Sequence, residues 1–130
     1  MKSGVEELLR FVTPAETSTE RFARDDVEVA GTVISKGALV LGVIASANRD
    51  PRRFENPEIV DVARGDNKHL AFGQGIHYCV GAPLSRLEGE VAFTALTERL
   101  PSLHLGVPPE RLRWRSSLVL RGLRALPVSF

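Results

Sequence analysis

Apolar residues recur at helical spacing near the N-terminus of the chain. They occupy one face of a predicted helix: Val5, Leu8, Leu9 and Val12. Ser3 and Glu6 have the spacing of a capping box, and Pro14 stops the pattern. The sequence therefore predicts a helix over residues 3–12.

A second helical pattern follows Pro83, which suits the first turn of a helix. Its apolar positions again share one face: Leu84, Leu87, Val91 and Ala95. Pro101 cannot continue a helix, so we expect this one to end just before it.

Alternating and short apolar runs predict β-structure between the two helices. Residues 27–35 alternate around Ala30-Gly31, a pattern typical of a β-hairpin. Residues 38–41 form an apolar run that could make a strand buried on both faces. Residues 44–48 predict a short helix, and residues 52–68 predict an irregular but ordered connection. The polar segment before the hairpin, residues 14–22, is predicted to be an extended loop.

The C-terminal part alternates as well, at residues 103–105 and again at 111–115. The second run carries three arginines on one side and a tryptophan, which leaves two interpretations: an edge strand protected by charge, or a nucleic-acid surface. The formal net charge of +1 favours the edge strand. Residues 117–120 would form the tip of a terminal hairpin.

Composition narrows the class of protein. The chain has 130 residues, of which 43% are hydrophobic and 25% charged, as expected of one domain with a sizeable core. No apolar run is long enough to cross a membrane, and the near-neutral charge predicts binding to neither nucleic acid nor membrane. A single cysteine fits a reducing compartment, so we expect a cytoplasmic protein.

That cysteine, Cys79, lies in the segment FGQGIHYCVG at residues 72–81, directly before the second helix. A helix N-terminus lowers the pKa of a thiol, and the thiolate is the form that binds metal. Glycines on both sides allow the backbone to approach a flat, bulky group. These features suggest haem with an axial thiolate. A haem-free, redox-sensing cysteine is a weaker alternative, because no resolving cysteine exists.

The spacing Phe-Gly-x-Gly-x-His-x-Cys-x-Gly resembles the haem-ligand loop of the cytochrome P450 family. The resemblance implies haem b (iron protoporphyrin IX) as cofactor, with Cys79 as the ligand of its iron. It places the remaining loop positions of the motif in cofactor binding: Phe72, Gly73, Gly75, His77 and Gly81. By position in the family, His77 and Arg21 would contact the haem propionates.

Glu7 and Arg10 resemble the family's Glu-x-x-Arg, and Arg64 occupies the place of its third partner. Taken alone, the helix pair would be a solvated ion pair and Arg64 a surface residue. The resemblance implies instead a buried network that braces the cysteine loop, with backbone carbonyls accepting the surplus arginine donors.

The implied fold is α+β and corresponds to the C-terminal part of the family fold: helix, β-hairpins and meander (1–71), cysteine loop and following helix (72–100), and terminal hairpin region (101–130). The family's oxygen-activating helix, with its Ala-Gly-x-Asp/Glu-Thr string, has no counterpart in this sequence. We therefore expect the haem-thiolate part of a monooxygenase, inactive alone, whose complete form would take a small organic substrate and a ferredoxin-type electron donor. The alternative is a non-catalytic fragment that binds haem, self-associates or pairs with a missing N-terminal part.

Overall fold

The computed structural model describes residues 1–130 and has an α+β fold. Its helices are α1 (Lys2–Val12), α2 (Ile44–Ala47) and α3 (Ala82–Arg99). Its strands are β1 (Arg21–Phe22), β2 (Val27–Val29), β3 (Thr32–Ile34), β4 (Leu39–Val40), β5 (His104–Leu105) and β6 (Val128–Ser129). Single 3-10 turns cover Gly75–His77 and Pro109–Arg111. The strands pair as three separate antiparallel ladders: β1 with β4, β2 with β3, and β5 with β6.

Helices α1 and α3 pack closely against each other. A Cβ on Gly89 of α3 would lie 3.0 Å from Cγ1 of Val5 on α1, so glycine is what permits this approach. The predicted helices are confirmed, but the predicted capping box is wrong. Helix α1 begins at Lys2 without a side-chain cap, because the Glu6 carboxylate bonds to distant residues instead.

The predicted hairpin of residues 27–35 is confirmed as β2 and β3. Ala30 and Gly31 at its turn have φ of 50° and 80°, the left-handed conformation that a tight hairpin requires. The predicted strand of residues 38–41 exists as β4, but it pairs with β1, which lies in the segment predicted to be an extended loop. Its burial on both faces was wrongly predicted, since Leu39 is 53% exposed.

The C-terminal region differs from the prediction in one strand. Residues 111–115 do not form a continuous strand: Arg111 belongs to a 3-10 turn that the prolines before it favour. Trp114 alone forms a bridge, with Leu123. The terminal hairpin is nevertheless present, because backbone bonds join Arg115 to Gly122 and Arg124 to residue 113. Residues 52–68 contain neither helix nor strand, as predicted.

Most fully buried side chains of the chain are polar. The buried polar residues are Glu7, Arg10, Thr13 and Asn48, and the buried apolar ones are Val5, Phe54 and Ala82. The expectation of a sizeable apolar core is therefore wrong. The apolar face of α3 is open instead, with its large side chains about three-fifths exposed: Leu84, Leu87 and Val91. No element of this chain packs on that face.

No helix of the structure combines the length and the apolar character needed to span a membrane.

Candidate cofactor site

Cys79 lies in a tight loop that leads directly into α3. Gly73 and Gly75 have φ of +73° and +76°, which side-chain-bearing residues rarely adopt. The amide of Gly73 donates to the carbonyl of Leu70 at 2.8 Å, and the amide of Cys79 donates to the carbonyl of Phe72 at 2.9 Å. The loop is thus closed by its own backbone, and its thiol is free and exposed.

An open cavity of about 840 Å³ lies over this loop. Five of the predicted cofactor residues line it: Arg21, Phe72, Gly73, His77 and Cys79. Its other walls are largely apolar or small, and include Leu9, Ile44, Leu70, Ala71, Val119 and Leu120. Volume and lining suit a cofactor-sized, mainly apolar ligand with a few polar anchors.

Gly75 and Gly81, also predicted to bind the cofactor, do not line the cavity. Gly75 contributes the positive φ of the turn. A Cβ on Gly81 would lie 3.7 Å from the Cys79 sulfur, so the glycine leaves space beside the thiol. The neighbouring side chains of Ile76 and Val80 are 97% and 99% exposed. Neither side chain lines the cavity.

The segment from Pro14 to Arg21 forms one side of the cavity and is held by the terminal hairpin. The amide of Glu16 donates to the carbonyl of Val119 at 2.8 Å, and the hydroxyl of Thr17 donates to the carbonyl of Leu118 at 3.0 Å. The Arg121 amide donates to the carbonyl of Pro14 at 2.8 Å. These bonds bring Val119 and Leu120 to the cavity wall.

Glu7, Arg10 and Arg64 form one network that joins α1 to the connection of residues 52–68. The Arg10 guanidinium donates to both oxygens of Glu7, at 2.7 and 2.8 Å, and both side chains are fully buried. Nε of Arg64 donates to Oε2 of Glu7 at 3.1 Å, and the Arg64 side chain is only 10% exposed. Burial alone would raise the pKa of Glu7, but bonds from Arg10, the Asp61 amide and Arg64 lower it to about 2.

Backbone carbonyls accept the remaining arginine donors. Arg10 donates to the carbonyls of Asn48 and Pro57, each at 2.9 Å, and Arg64 donates to that of Glu55 at 2.8 Å. Both guanidiniums reach the carbonyl of Ile59, at 3.2 and 3.5 Å. The irregular connection of residues 52–68 is therefore ordered by the charges it surrounds.

Sequence reasoning missed several residues that connect these groups: Glu6, Thr13, Asn48, Asn67, His69 and Arg86. Asn67 donates to Oε2 of Glu7 at 3.0 Å, and Asn48 bonds to both Thr13 and the amide of Leu70. The bonds among these residues and to Glu7 and Leu70 span 22 to 80 positions along the chain, so no local spacing could reveal them.

Comparison with known proteins agrees with this geometry. The model of the family described as Cytochrome P450 matches residues 1–122. The polyketide biosynthesis cytochrome P450 PksS of Bacillus subtilis is 49% identical over 127 residues, which cover 98% of this chain and 31% of that protein. The 6-deoxyerythronolide B hydroxylase of Saccharopolyspora erythraea is also 49% identical, over 98% of this chain and 31% of its own.

Solved structures give the same result. The structure of PksS superposes with a TM-score of 0.95 at 48% identity, covering 98% of this chain and 33% of that chain. The tirandamycin C-bound P450 monooxygenase TamI gives 0.94 at 49% identity, covering 98% and 32%. The chain therefore belongs to the cytochrome P450 family, whose cofactor is haem b held by a cysteine thiolate. It spans about a third of the length of these relatives.

Proposed function

We propose that this chain is the C-terminal, haem-thiolate part of a cytochrome P450 monooxygenase, with Cys79 as the ligand of the haem iron. The observation that carries the proposal is the cavity itself, because Cys79, His77 and Arg21 line it together. Arg21 reaches the same cavity although it lies 58 positions before Cys79 in the chain. Cys79 is also the only cysteine of the chain, so no other thiolate could serve.

Cationic and hydrogen-bonding side chains would fix the orientation of the cofactor. Arg21 and His77 offer N–H donors on the cavity wall, and donors of this kind suit the two propionates of haem b. Phe72 and Gly73 provide an apolar ring and an unobstructed backbone beside the thiol. Bound haem would supply the redox chemistry, since a thiolate ligand donates electron density that favours O–O cleavage.

The Glu7 network would keep the thiolate loop rigid from below. It ties α1 to the connection of residues 52–68 with charge-assisted bonds in a site from which water is excluded. Rigid support matters because a metal ligand must hold its position while charge changes on the metal. Glu7, Arg10 and Arg64 are thus proposed as structural residues that do not touch substrate.

The activity of the complete protein would be oxygen-dependent oxidation of a small organic substrate, fed by a ferredoxin-type electron donor. Two relatives bear names of this activity, the 6-deoxyerythronolide B hydroxylase and nocardicin C N-oxygenase. The oxygen-activating residues would lie in the two thirds of the relatives that this chain does not span, so we expect no turnover by the chain alone.

The exposed apolar face of α3 favours a second candidate, a non-catalytic fragment that dimerises or pairs with another chain. The first candidate requires that the thiolate site assembles, whereas the second requires a stable complex formed through this face. The test is an absorption spectrum of the purified chain after haem addition, followed by reduction under carbon monoxide.

We expect a strongly red-shifted Soret band that is absent from Cys79→Ser. A band that persists in this variant, or no band in either protein, would contradict the haem-thiolate proposal. Size-exclusion chromatography of the same samples then tests the second candidate, which requires a stable complex.

A further inference from the structure

A second charged cluster lies beside the Glu7 network and shares no side-chain bond with it. The carboxylate of Glu6 on α1 accepts two hydrogen bonds from Arg86 on α3: Nε donates to Oε1 at 2.6 Å and Nη2 donates to Oε2 at 3.0 Å. The bond from Arg86 is the main cause that lowers the pKa of Glu6, so the pair is ionised at neutral pH. This bidentate pair joins the two long helices.

His69 completes the cluster, and its contacts define its tautomer. The amide of Ala71 donates to Nδ1 of His69 at 3.1 Å, so that nitrogen carries no proton. Nε2 therefore carries the proton and donates to Oε2 of Glu6 at 3.1 Å. The side chain of His69 is 2% exposed. Neutral His69 thus links Glu6 to the backbone just before the cysteine loop.

Arg86 also contacts two residues of the cysteine loop directly. Its Nη1 donates to the hydroxyl of Tyr78 at 2.9 Å, and its guanidinium carbon lies 4.7 Å from the ring centroid of Phe72. The two rings meet edge to face, with centroids 6.5 Å apart. The backbone carbonyl of Phe72 accepts a hydrogen bond from the Cys79 amide, and Tyr78 directly precedes Cys79 in the chain.

We propose that Arg86 is a positioning residue for Cys79. It acts through Phe72 and Tyr78, while Glu6 and His69 hold its guanidinium in place. The planar, five-donor guanidinium is what the geometry requires, because one group must bond a carboxylate twice, reach a phenol and lie over a ring. The positioning role rests on the proposed function, since it concerns the thiolate that would hold haem.

The test measures backbone amide hydrogen exchange in the cofactor-free chain. In Arg86→Gln we expect the amide of Cys79 to exchange about tenfold faster, as the loss of bonds to a charged group implies. Amides in the middle of α1 should keep their exchange rates. Arg99→Gln is the matched control, because Arg99 is an exposed arginine of the same helix without a side-chain partner. This variant should change the exchange rate neither of the Cys79 amide nor of the α1 amides.

Arg86→Lys separates positioning from simple helix pairing. Lysine keeps a charge opposite Glu6 and should restore the thermal stability of the chain, but it cannot reach Tyr78 and cover Phe72 at once. We therefore expect Cys79 to remain poorly protected in this variant. Equal acceleration at all amides, or full protection of Cys79 restored by lysine, would overturn the proposal.

Tyr78→Phe removes only the hydroxyl that Arg86 bonds, at a half-exposed side chain, and gives a second measurement should Arg86→Gln fail to fold. We expect a smaller acceleration, confined to the loop; unchanged exchange at Cys79 would count against the proposal. All of these measurements are made without haem. Failure of the wild-type chain to bind haem would thus contradict the proposed function and leave this result standing.

Discussion

Asn48 and Leu70 are joined by a hydrogen bond of 2.7 Å, in which the amide of Leu70 donates to the side-chain oxygen of Asn48. The other end of the same side chain donates to Thr13 at 2.9 Å, and its backbone carbonyl accepts from Arg10. Asn48 is fully buried. One amide side chain therefore connects the Glu7 network to the segment that enters the cysteine loop.

Replacing Asn48 by alanine should destabilise the chain by about 2–3 kcal/mol, because the partly buried amide of Leu70 and the buried hydroxyl of Thr13 would each lose a partner. Ser46→Ala, at an exposed position on α2, the short helix that Asn48 directly follows, is the control and should change stability by less than about 0.5 kcal/mol. The measurement is the free energy of unfolding in denaturant. Equal effects of the two substitutions would contradict the role assigned to Asn48.

Glu7→Gln should cost about 3–5 kcal/mol, since it leaves the buried Arg10 guanidinium without its counter-charge. Lowering the pH should also destabilise the wild type, because protonation removes the same negative charge. The pKa of Glu7 falls from 4.5 to about 2 on folding, so its contribution to stability is complete above pH 4.5 and is lost as the pH falls towards 2.

Denaturant unfolding between pH 7 and pH 3 checks both statements. Glu88→Gln, an exposed position on α3, serves as control and should retain the acid dependence of the wild type. A Glu7→Gln protein as stable as this control at pH 7 would refute the prediction.

His69 gives a second pH dependence, at higher pH. Burial lowers its pKa below the usual 6.5, and protonation would also break the bond from the Ala71 amide. The unfolded chain therefore binds this proton more readily, so stability is complete above pH 6.5 and decreases as the pH falls below it. In His69→Gln, the free energy of unfolding should differ less between pH 7.5 and pH 5.5 than it does in the wild type. His104→Gln, at an exposed histidine, should not.

Arg21→Gln should weaken haem binding by about tenfold, as expected from the loss of one charge-assisted bond to a carboxylate. Arg24→Gln is the natural comparison, because it removes the same charge from an exposed site three residues further on that does not line the cavity. Absorbance titration with haemin measures both affinities. A similar loss in the two variants would point to general charge attraction and away from a propionate contact.

Gly73→Ala and Gly37→Ala should each cost about 1 kcal/mol of stability, since the two glycines have positive φ, +73° and +79° respectively. Only Gly73 lines the cavity, and a Cβ there has ordinary contacts with the protein. Haem affinity should therefore fall in Gly73→Ala alone. An equal effect of Gly37→Ala would show that the loss is indirect.

The sequence was sufficient to predict features that depend on near neighbours. Spacing and prolines located α1 and α3, and Ala30-Gly31 located the turn of the first hairpin. The family resemblance also predicted that Glu7, Arg10 and Arg64 lie together. All of these features are encoded by short-range spacing or by an exact motif, so the sequence alone predicts them.

What the sequence did not reveal depends on distant partners. Glu6 has the spacing of a helix cap, but a carboxylate that meets Arg86 gains more from a bidentate ion pair than from a backbone amide. Leu39 and the α3 face have the apolar pattern of buried positions, yet their large side chains are more than half exposed in the structure. Apolar periodicity predicts which face can be buried, but it does not identify the partner that buries it.

The two charged networks are closed within the chain, since every side-chain partner of Glu6 and Glu7 lies between residues 10 and 86. In a chimaera that joins this chain to the remainder of a relative, we expect the thiolate loop and its supports to be transferred as one cassette. Whether the two parts fit together would then depend on the open apolar face of α3. The two source proteins would be compatible if the apolar side chains of this one helix fit the remainder of the relative. This face is therefore the surface to redesign first.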